Sequence, residues 1–197
     1  MTRKRNSFGP LICYHGCCRD IAEEILSNKL PLKPSRNKWD WLGSGIYFWV
    51  DSWARGIDWA FTGKKIEEPY VVGAYVHPGL CLNLTDYAVS DQVKEAYDIL
   101  KEYCDDTSTK LPKNKDFFKR NLDCAVLEFL HKLRDDRNLN PYDTILGAFE
   151  EGEAIFSGSH FKKKTHLQLV VREGHEECII GYFRVPGIEE EINRFKK

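Results

Sequence analysis

The feature that most constrains the fold of this chain is β-type sequence at both of its ends, on either side of a helical middle. Short runs rich in β-branched and aromatic residues predict strands at residues 11–14, 46–50, 70–76, 80–84, 153–156, 166–171 and 178–185. Strands this short need neighbours to bury a face, so we expect the strands from both ends to share one sheet. The pattern predicts an α+β domain.

The helical segments are predicted from apolar residues that recur at helical spacing. One helix is expected at residues 21–28 with Asp20 as its cap, and a second follows Asp51 or Ser52 and runs through Phe61. Two longer amphipathic helices are expected between residues 86 and 133, and a short charged one at 189–197. We therefore expect a single domain over residues 1–197 with a helical insertion at about 86–140.

Composition limits the classes of function. With 29 Lys and Arg against 30 Asp and Glu, the net charge is −1, so the whole chain has no electrostatic attraction to phosphate backbones, although a local basic patch remains open. No apolar run is long enough for a membrane span. The seven cysteines are an odd number without a C-x-x-C pair, which favours packing roles in a reducing cytosol. A cytoplasmic protein without membrane contact is expected.

Two short motifs carry chemistry-bearing residues. His15 ends the first predicted strand and is followed by Gly16, which lets a ligand approach the backbone closely. Gly43 and Gly45 precede the aromatic strand that contains Tyr47, and this arrangement predicts an open pocket beside the tyrosine. In such a pocket Tyr47 could stack on a planar ring while His15 binds a sugar hydroxyl.

Together these motifs resemble a known family. Tyr14-His15-Gly16, the run from Leu42 to Phe48 and Ser52-Trp53-Ala54 look like the NAD-binding half of the ADP-ribosyltransferases. The closer resemblance is to the poly(ADP-ribose) polymerase-like branch with its His-Tyr-Glu signature. It covers the first sixty residues or so and, by strand order, the last thirty-five. The resemblance implies the split-sheet ADP-ribosyltransferase fold.

The resemblance also implies roles for individual residues. His15 would hold the adenosine ribose of NAD, the backbone of Gly16 would grip the nicotinamide carboxamide, and Tyr47 would stack on nicotinamide. Gly45, Ser52 and Ala54 would flank the same pocket. No metal is implied, and NAD acts as substrate.

The third signature position departs from the family pattern, which has a glutamate on a late strand. Strand order from the C-terminus places Gln168 there, whereas the run Glu151-Gly152-Glu153 resembles the Glu-x-Glu strand of toxin-type members of the superfamily. A carboxylate stabilises an oxocarbenium-like centre better than an amide does, which favours Glu153, but the order of the signature favours Gln168. Both alternatives stay open at the level of sequence.

These features predict a mono-ADP-ribosyltransferase that transfers ADP-ribose from NAD to a protein or nucleic-acid acceptor. The resemblance extends to small bacterial toxins of toxin–antitoxin and phage-defence systems, which implies an antitoxin or another regulatory protein as partner. One alternative is a module on the same scaffold that binds NAD or ADP-ribose without turnover. Another is an RNA 2′-phosphotransferase-like enzyme, which needs clustered arginines; those at positions 19, 36, 55 and 172 form no evident cluster in the sequence.

Two further groups of residues lie near these motifs. The basic triplet Lys162–Lys164 is interpreted as a solvated turn, with contact to a phosphate as the alternative. Trp39 and Trp41 are candidates for the border of the pocket. The histidines show no spacing typical of metal ligands.

Overall fold

The computed structural model describes residues 9–116 and 118–195. Its strands are β1 (Leu11–Cys18), β2 (Ile46–Val50), β3 (Pro69–Val76), β4 (Cys81–Asn83), β5 (Thr144–Phe149), β6 (His166–Val171) and β7 (Ile179–Arg184). Its α-helices are α1 (Arg19–Leu26), α2 (Trp53–Asp58), α3 (Ser90–Asp106), α4 (Asn121–Asp136) and α5 (Ile188–Phe195). No helix in these residues is both long and apolar enough to cross a bilayer.

The seven strands form one mixed sheet in the order β4-β5-β6-β2-β1-β3-β7. β6 and β7, from the C-terminal third, pair with β2 and β3 from the N-terminal third, so strands from both ends share the sheet as predicted. Pairing is antiparallel except between β4 and β5. That parallel pair needs a crossover connection, which the insertion containing α3 and α4 provides. The α+β class is confirmed.

Backbone pairing is shortest in the middle of the sheet. β1 pairs with β3 over all eight of its residues but with β2 at only two positions, Cys13–Val50 and Tyr14–Trp49. The ladder between β1 and β2 therefore ends before His15. The His15-Gly16 motif on β1 and Tyr47 on β2 lie on the two strands that flank this interruption in the β1–β2 ladder.

At β2 and β6, the two faces of the sheet bury different clusters. Phe48 and its β6 partner Leu169 belong to a cluster that also contains residues of α1 and α5. Tyr47 and its partner Val170 face the other cluster, which contains residues of α3 and α4. The alternation of side chains along β2 thus separates two packed layers.

Four predicted elements differ from the structure. β1 continues four residues beyond the predicted 11–14, so His15 lies within the strand and not at its end. Residues 153–156 are not a strand: Ala154 forms only an isolated bridge with Lys162, and Gly152, with φ of 84°, turns the chain out of the sheet. The strand of this region is β5, which the sequence did not predict. Asp20 does not cap α1, since the helix begins at Arg19 and Asp20 lies in its first turn. The helix expected to run through Phe61 ends at Asp58 and continues as a π-helical turn, Trp59–Gly63.

Candidate functional site

His15 bridges the point where β1 and β2 stop pairing. Its Nδ1 atom lies 2.8 Å from the carbonyl oxygen of Tyr47, and its ring meets Phe48 edge-on with 5.9 Å between centroids. A carbonyl oxygen can only accept, so Nδ1 carries the proton and Nε2 keeps a free lone pair. Burial lowers the pKa of His15, outweighing the opposite effect of the hydrogen bond. The imidazole is neutral near pH 7 and presents Nε2 as a hydrogen-bond acceptor.

Gly16 is a glycine because helix α2 lies against it. A Cβ atom at this position would overlap the carbonyl oxygen of Gly56. On the β2 side of β1, the carbonyl oxygen of Ile12 accepts from the backbone amide of Asp51. On the β3 side, the backbone amide of Arg19 donates to the carbonyl oxygen of Glu68. Because backbone groups alternate in direction along an antiparallel strand, the N–H and C=O of Gly16 face β2, beyond the last β1–β2 pair.

Tyr47 holds the glycine-containing loop that precedes it. Its hydroxyl donates to the carbonyl oxygen of Gly43 at 2.7 Å and accepts from the amide of Leu42 at 2.9 Å. Burial raises the pKa of Tyr47 well above its ordinary value, so the hydroxyl keeps its proton. The open pocket predicted beside Tyr47 is closed at the hydroxyl end of the ring, because the loop folds back onto it.

Gly45 also has a structural role. Its N–H donates to the Ser35 carbonyl at 2.9 Å, and its own carbonyl accepts from Ser35 at 2.8 Å. A side chain at residue 45 would overlap the backbone of Val171. On the outer side of the loop, the carboxylate of Glu128 in α4 accepts from the amide of Ser44 at 2.5 Å. The helical insertion is thereby tied to the glycine loop, a contact that the sequence did not predict.

Ser52 and Ala54 lie at the start of α2. The Ser52 hydroxyl caps this helix by accepting from the amide of Arg55 at 3.4 Å, and both residues are half-buried. Helix α2 contacts β1 and β3, which brings its N-terminal residues near the interruption between β1 and β2. The structure shows a capping role for Ser52 and places Ala54 in the first turn of α2.

Gln168 lies on the same face of the sheet as Tyr47. In the β2–β6 ladder Tyr47 is opposite Val170 and Trp49 is opposite Gln168, so these side chains leave the sheet on one side. His15 leaves β1 on the side of Phe48. A ligand that contacts both His15 and Gln168 therefore has to lie where the β1–β2 pairing has ended.

The side-chain amide of Gln168 has a fixed orientation. Nδ1 of His166 lies 2.7 Å from the carbonyl of Lys164, so it carries the proton of the ring. Nε2 of His166 is 3.1 Å from Nε2 of Gln168 and must accept from that amide. Burial lowers the pKa of His166, which keeps the ring neutral. The Oε1 atom of Gln168 is left as an acceptor for another group.

Glu153 is placed differently. It lies in the irregular segment after β5, exposed to solvent, with its carboxylate 2.7 Å from the ammonium group of Lys163. This ion pair lowers the pKa of Glu153. The structure does not bring Glu153 into the β1–β2–β6 register that contains His15, Tyr47 and Gln168.

A half-buried charge network links α2 to the segment after β5. Arg55 forms ion pairs with Asp58 and, at 2.5 Å, with Glu151, and Lys164 donates to Asp58 at 2.9 Å. The side chains of Arg55 and Glu151 are 12% and 17% exposed. Sequence analysis singled out Glu151 and the lysine triplet but not this network, because its partners are distant along the chain. Lys163 and Lys164 of the triplet are thus engaged with carboxylates.

An aromatic stack continues outward from His166. The ring of Trp41 stacks on that of His166 with an interplanar angle of 29° and 6.3 Å between centroids, and the centroid of the Phe149 ring lies 4.6 Å from that of Trp41. The guanidinium of Arg120 sits 4.3 Å from the centroid of the Trp41 ring. The prediction that Trp41 borders the site is consistent with this position, two contacts away from Gln168.

Trp49 adds an unused donor to the same face. Trp49 is only 3% exposed, and its ring packs against that of Trp59 with 5.4 Å between centroids. Its indole N–H has no hydrogen-bond partner among the described residues. A buried donor without a partner is energetically unfavourable, and it lies opposite Gln168.

The two best-defined cavities and the four arginines noted in the sequence lie away from the candidate residues or apart from one another. Cavities of about 330 and 340 Å³ lie beside α5 and beneath the loop after α1, and neither is lined by His15, Tyr47, Gln168 or Glu153. The four arginines considered for a phosphotransferase are dispersed. Arg19 pairs with Glu189, Arg36 with Glu173 and Arg55 with Glu151, while Arg172 donates to the Tyr142 carbonyl.

Residues 9–116 and 118–195 contain no group of three or more His, Cys, Asp or Glu side chains arranged to hold a metal ion. No disulfide joins any two cysteines in the part of the chain that the structure describes. Comparison of the chain with protein-family models, with curated proteins and with solved structures found no match.

Proposed function

We propose that this protein is a mono-ADP-ribosyltransferase built on an ADP-ribosyltransferase-type fold. One observation carries the proposal: the three positions that resemble the His-Tyr-Glu signature lie on three consecutive strands of the sheet, His15 on β1, Tyr47 on β2 and Gln168 on β6. Residues far apart in sequence are thereby brought onto neighbouring strands next to the end of the β1–β2 ladder. The substrate that fits the resemblance is NAD.

His15 and Gly16 supply the groups that NAD binding requires. The free Nε2 lone pair of His15 can accept from a ribose hydroxyl. The N–H and C=O of Gly16, which point into the interrupted ladder, match the acceptor and donor of a carboxamide. In this proposal the flat ring of Tyr47 supports nicotinamide, while its hydroxyl stays bound to the glycine loop.

Gln168 is assigned the third position. Its amide N–H is held by His166, so Oε1 is available to accept from a hydroxyl of the nicotinamide ribose. In the reaction, the bond between C1′ of that ribose and the nicotinamide nitrogen breaks, and nicotinamide leaves with the electron pair. The acceptor's nucleophilic atom then bonds to C1′ and loses its proton. A neutral amide stabilises the intervening cationic centre less than a carboxylate does, which fits slow, single transfer.

The second candidate function is a module that binds NAD or ADP-ribose without turnover. The observation that favours it is the amide of Gln168, which lacks the negative charge expected at the third position. The two functions predict the same binding of NAD and differ only in bond cleavage.

The test combines two assays on the same preparation. Isothermal titration calorimetry measures NAD binding, and release of nicotinamide is followed with cell extract supplied as acceptor. Binding together with release supports the transferase, and binding without release supports the module. Absence of NAD binding by the folded protein contradicts both.

A further inference from the structure

A basic and aromatic surface lies beside the candidate site. It consists of Lys38 and Trp39 from the loop before β2, together with Lys113, Lys115, Phe118 and Lys119 from the segment between α3 and α4. Two hydrogen bonds join the two segments: the Arg120 amide donates to the Trp39 carbonyl at 3.3 Å, and the Trp41 indole donates to the Phe118 carbonyl at 2.9 Å. Trp39 and Phe118 remain 44% and 62% exposed.

This surface carries an excess of positive charge. Residues 110–120 include five Lys or Arg and one acidic residue, Asp116. The Asp116 carboxylate accepts from the amides of Phe118 and Lys119, and Arg120 lies 3.9 Å from Asp123. Among the described residues, none forms an ion pair with the lysines at positions 38, 113, 115 and 119. The triplet Lys162–Lys164 differs, because two of its lysines are paired with carboxylates.

Unpaired lysines and exposed aromatic rings occur here side by side. The ammonium group of Lys119 lies 6.0 Å from the centroid of the Trp39 ring. Surfaces that bind single-stranded nucleic acid combine these two features, since the lysines contact phosphates and the rings stack on unpaired bases. A duplex keeps its bases stacked on one another and cannot use the rings in this way. An acidic polypeptide could use the charges but offers no bases.

We infer that this basic and aromatic surface binds single-stranded nucleic acid and presents it as the acceptor to the candidate site. The acceptor role rests on the proposed function, whereas binding does not. Continuity supports the role: Trp41, which is hydrogen-bonded to Phe118, stacks on His166, and His166 accepts from Gln168. A strand seated on the surface lies next to the residues assigned to the reaction.

Binding is tested by fluorescence anisotropy with labelled oligouridylate and oligothymidylate of about fifteen nucleotides, a length that fits one binding site of this type. The variants are Lys113→Glu/Lys115→Glu for the charges and Trp39→Ala for stacking. Lys29→Glu/Lys33→Glu and Tyr87→Ala are matched controls, because they change exposed lysines and an exposed tyrosine outside the surface.

We expect Lys113→Glu/Lys115→Glu to weaken binding at least about tenfold and to lower the salt dependence by roughly 1.4 in log–log slope, the value for two phosphate contacts to a single strand. Trp39→Ala is expected to weaken binding about tenfold through lost stacking. Equal binding by these variants and their controls overturns the inference. So does duplex binding as tight as that of the single strand, or equal competition by polyglutamate.

The acceptor role is tested separately with labelled NAD and an unlabelled oligonucleotide. Label that is removed by nuclease and not by protease supports it, and label found only on protein overturns it. The failures are distinguishable, since oligonucleotide binding is measured without NAD. Binding without nicotinamide release contradicts the proposed function alone, and release without oligonucleotide binding contradicts the inferred surface alone.

Discussion

The side-chain amide of Gln168 donates to Nε2 of His166 across 3.1 Å, and this bond decides what Gln168 can offer a ligand. His166 is neutral, with its proton on Nδ1, where it donates to the Lys164 carbonyl. The glutamine therefore presents its oxygen atom, the only part of an amide that resembles a carboxylate. A glutamine in place of the family's glutamate is thus oriented to imitate part of its role.

Replacing His15 tests the assignment of the NAD-binding site. His15→Ala removes the acceptor offered by Nε2, so NAD affinity should fall about tenfold or more, the scale of a buried partner left without its hydrogen bond. Calorimetry on the folded variant measures the change. His160→Ala, which alters an exposed histidine, is the control and should bind NAD like the parent. Unchanged affinity in His15→Ala contradicts the assignment.

Replacing Gly16 tests how α2 is held against β1. In Gly16→Ala the new methyl group overlaps the Gly56 carbonyl, a backbone atom that cannot move aside cheaply. We expect the free energy of unfolding to fall by about 2 kcal/mol or more, as for overpacked core positions. Gly181→Ala is the control, because no atom lies within 4 Å of its new methyl group. Equal stability of the two variants in denaturant titrations would falsify this account of Gly16.

Arg55 is expected to stabilise the connection between α2 and the segment after β5. Arg55→Met leaves the half-buried carboxylates of Asp58 and Glu151 without this partner. Removing one partner of a buried ion pair costs about 3 kcal/mol, and the residual exposure here should reduce that somewhat. Arg194→Met breaks an exposed pair with Glu191 and should change stability by less than about 0.5 kcal/mol. Urea titration of both variants checks the difference.

His131 gives stability a pH dependence of known sign. Burial lowers its pKa from 6.5 to about 3, and neither ring nitrogen has a hydrogen-bond partner among the described residues. A group with a lowered pKa in the folded state contributes stability that is fully present above the unfolded pKa and is lost as pH falls towards the folded one. Stability should therefore decline from pH 6.5 towards pH 3.

His131→Leu should flatten this decline and raise stability at pH 7 by about 1 kcal/mol, because it removes buried polar atoms that lack partners. His160→Leu is the control. The measurement is the free energy of unfolding across the pH range. Identical pH profiles for His131→Leu and the parent would show that His131 is not the group responsible.

Some elements of the fold could be predicted to the residue. β2 and β6 match their predicted bounds. β2 is a continuous apolar run of aromatic and β-branched residues, and β6 combines two leucines and two valines with His166 and Gln168. β5 was missed because Gly147 and Ala148 dilute its β-type pattern. The segment 153–156 resembles a strand in sequence because it contains Ile155 and Phe156, but the structure leaves these two side chains 53% and 63% exposed.

Less of the candidate site than of the fold could be predicted from the sequence. His15, Gly16 and Tyr47 could be identified from short local motifs. The choice between Gln168 and Glu153 depends on the register of β6 against β2, and the Arg55–Glu151 pair joins positions 96 residues apart. Single-sequence patterns do not contain such long-range relationships.

The central claim is that Gln168, on the same sheet face as Tyr47, holds the third position of the site. Nicotinamide release from NAD by Gln168→Ala and Glu153→Gln tests it most directly, because the assay does not depend on the acceptor's identity. We predict that Gln168→Ala loses about two to three orders of magnitude in rate, the effect of removing one preorganised electrostatic contact, while NAD binding is largely kept. Glu153→Gln should keep the parent rate, since its carboxylate pairs with Lys163 at the surface. The reverse pattern, with Glu153→Gln inactive and Gln168→Ala fully active, would contradict the account.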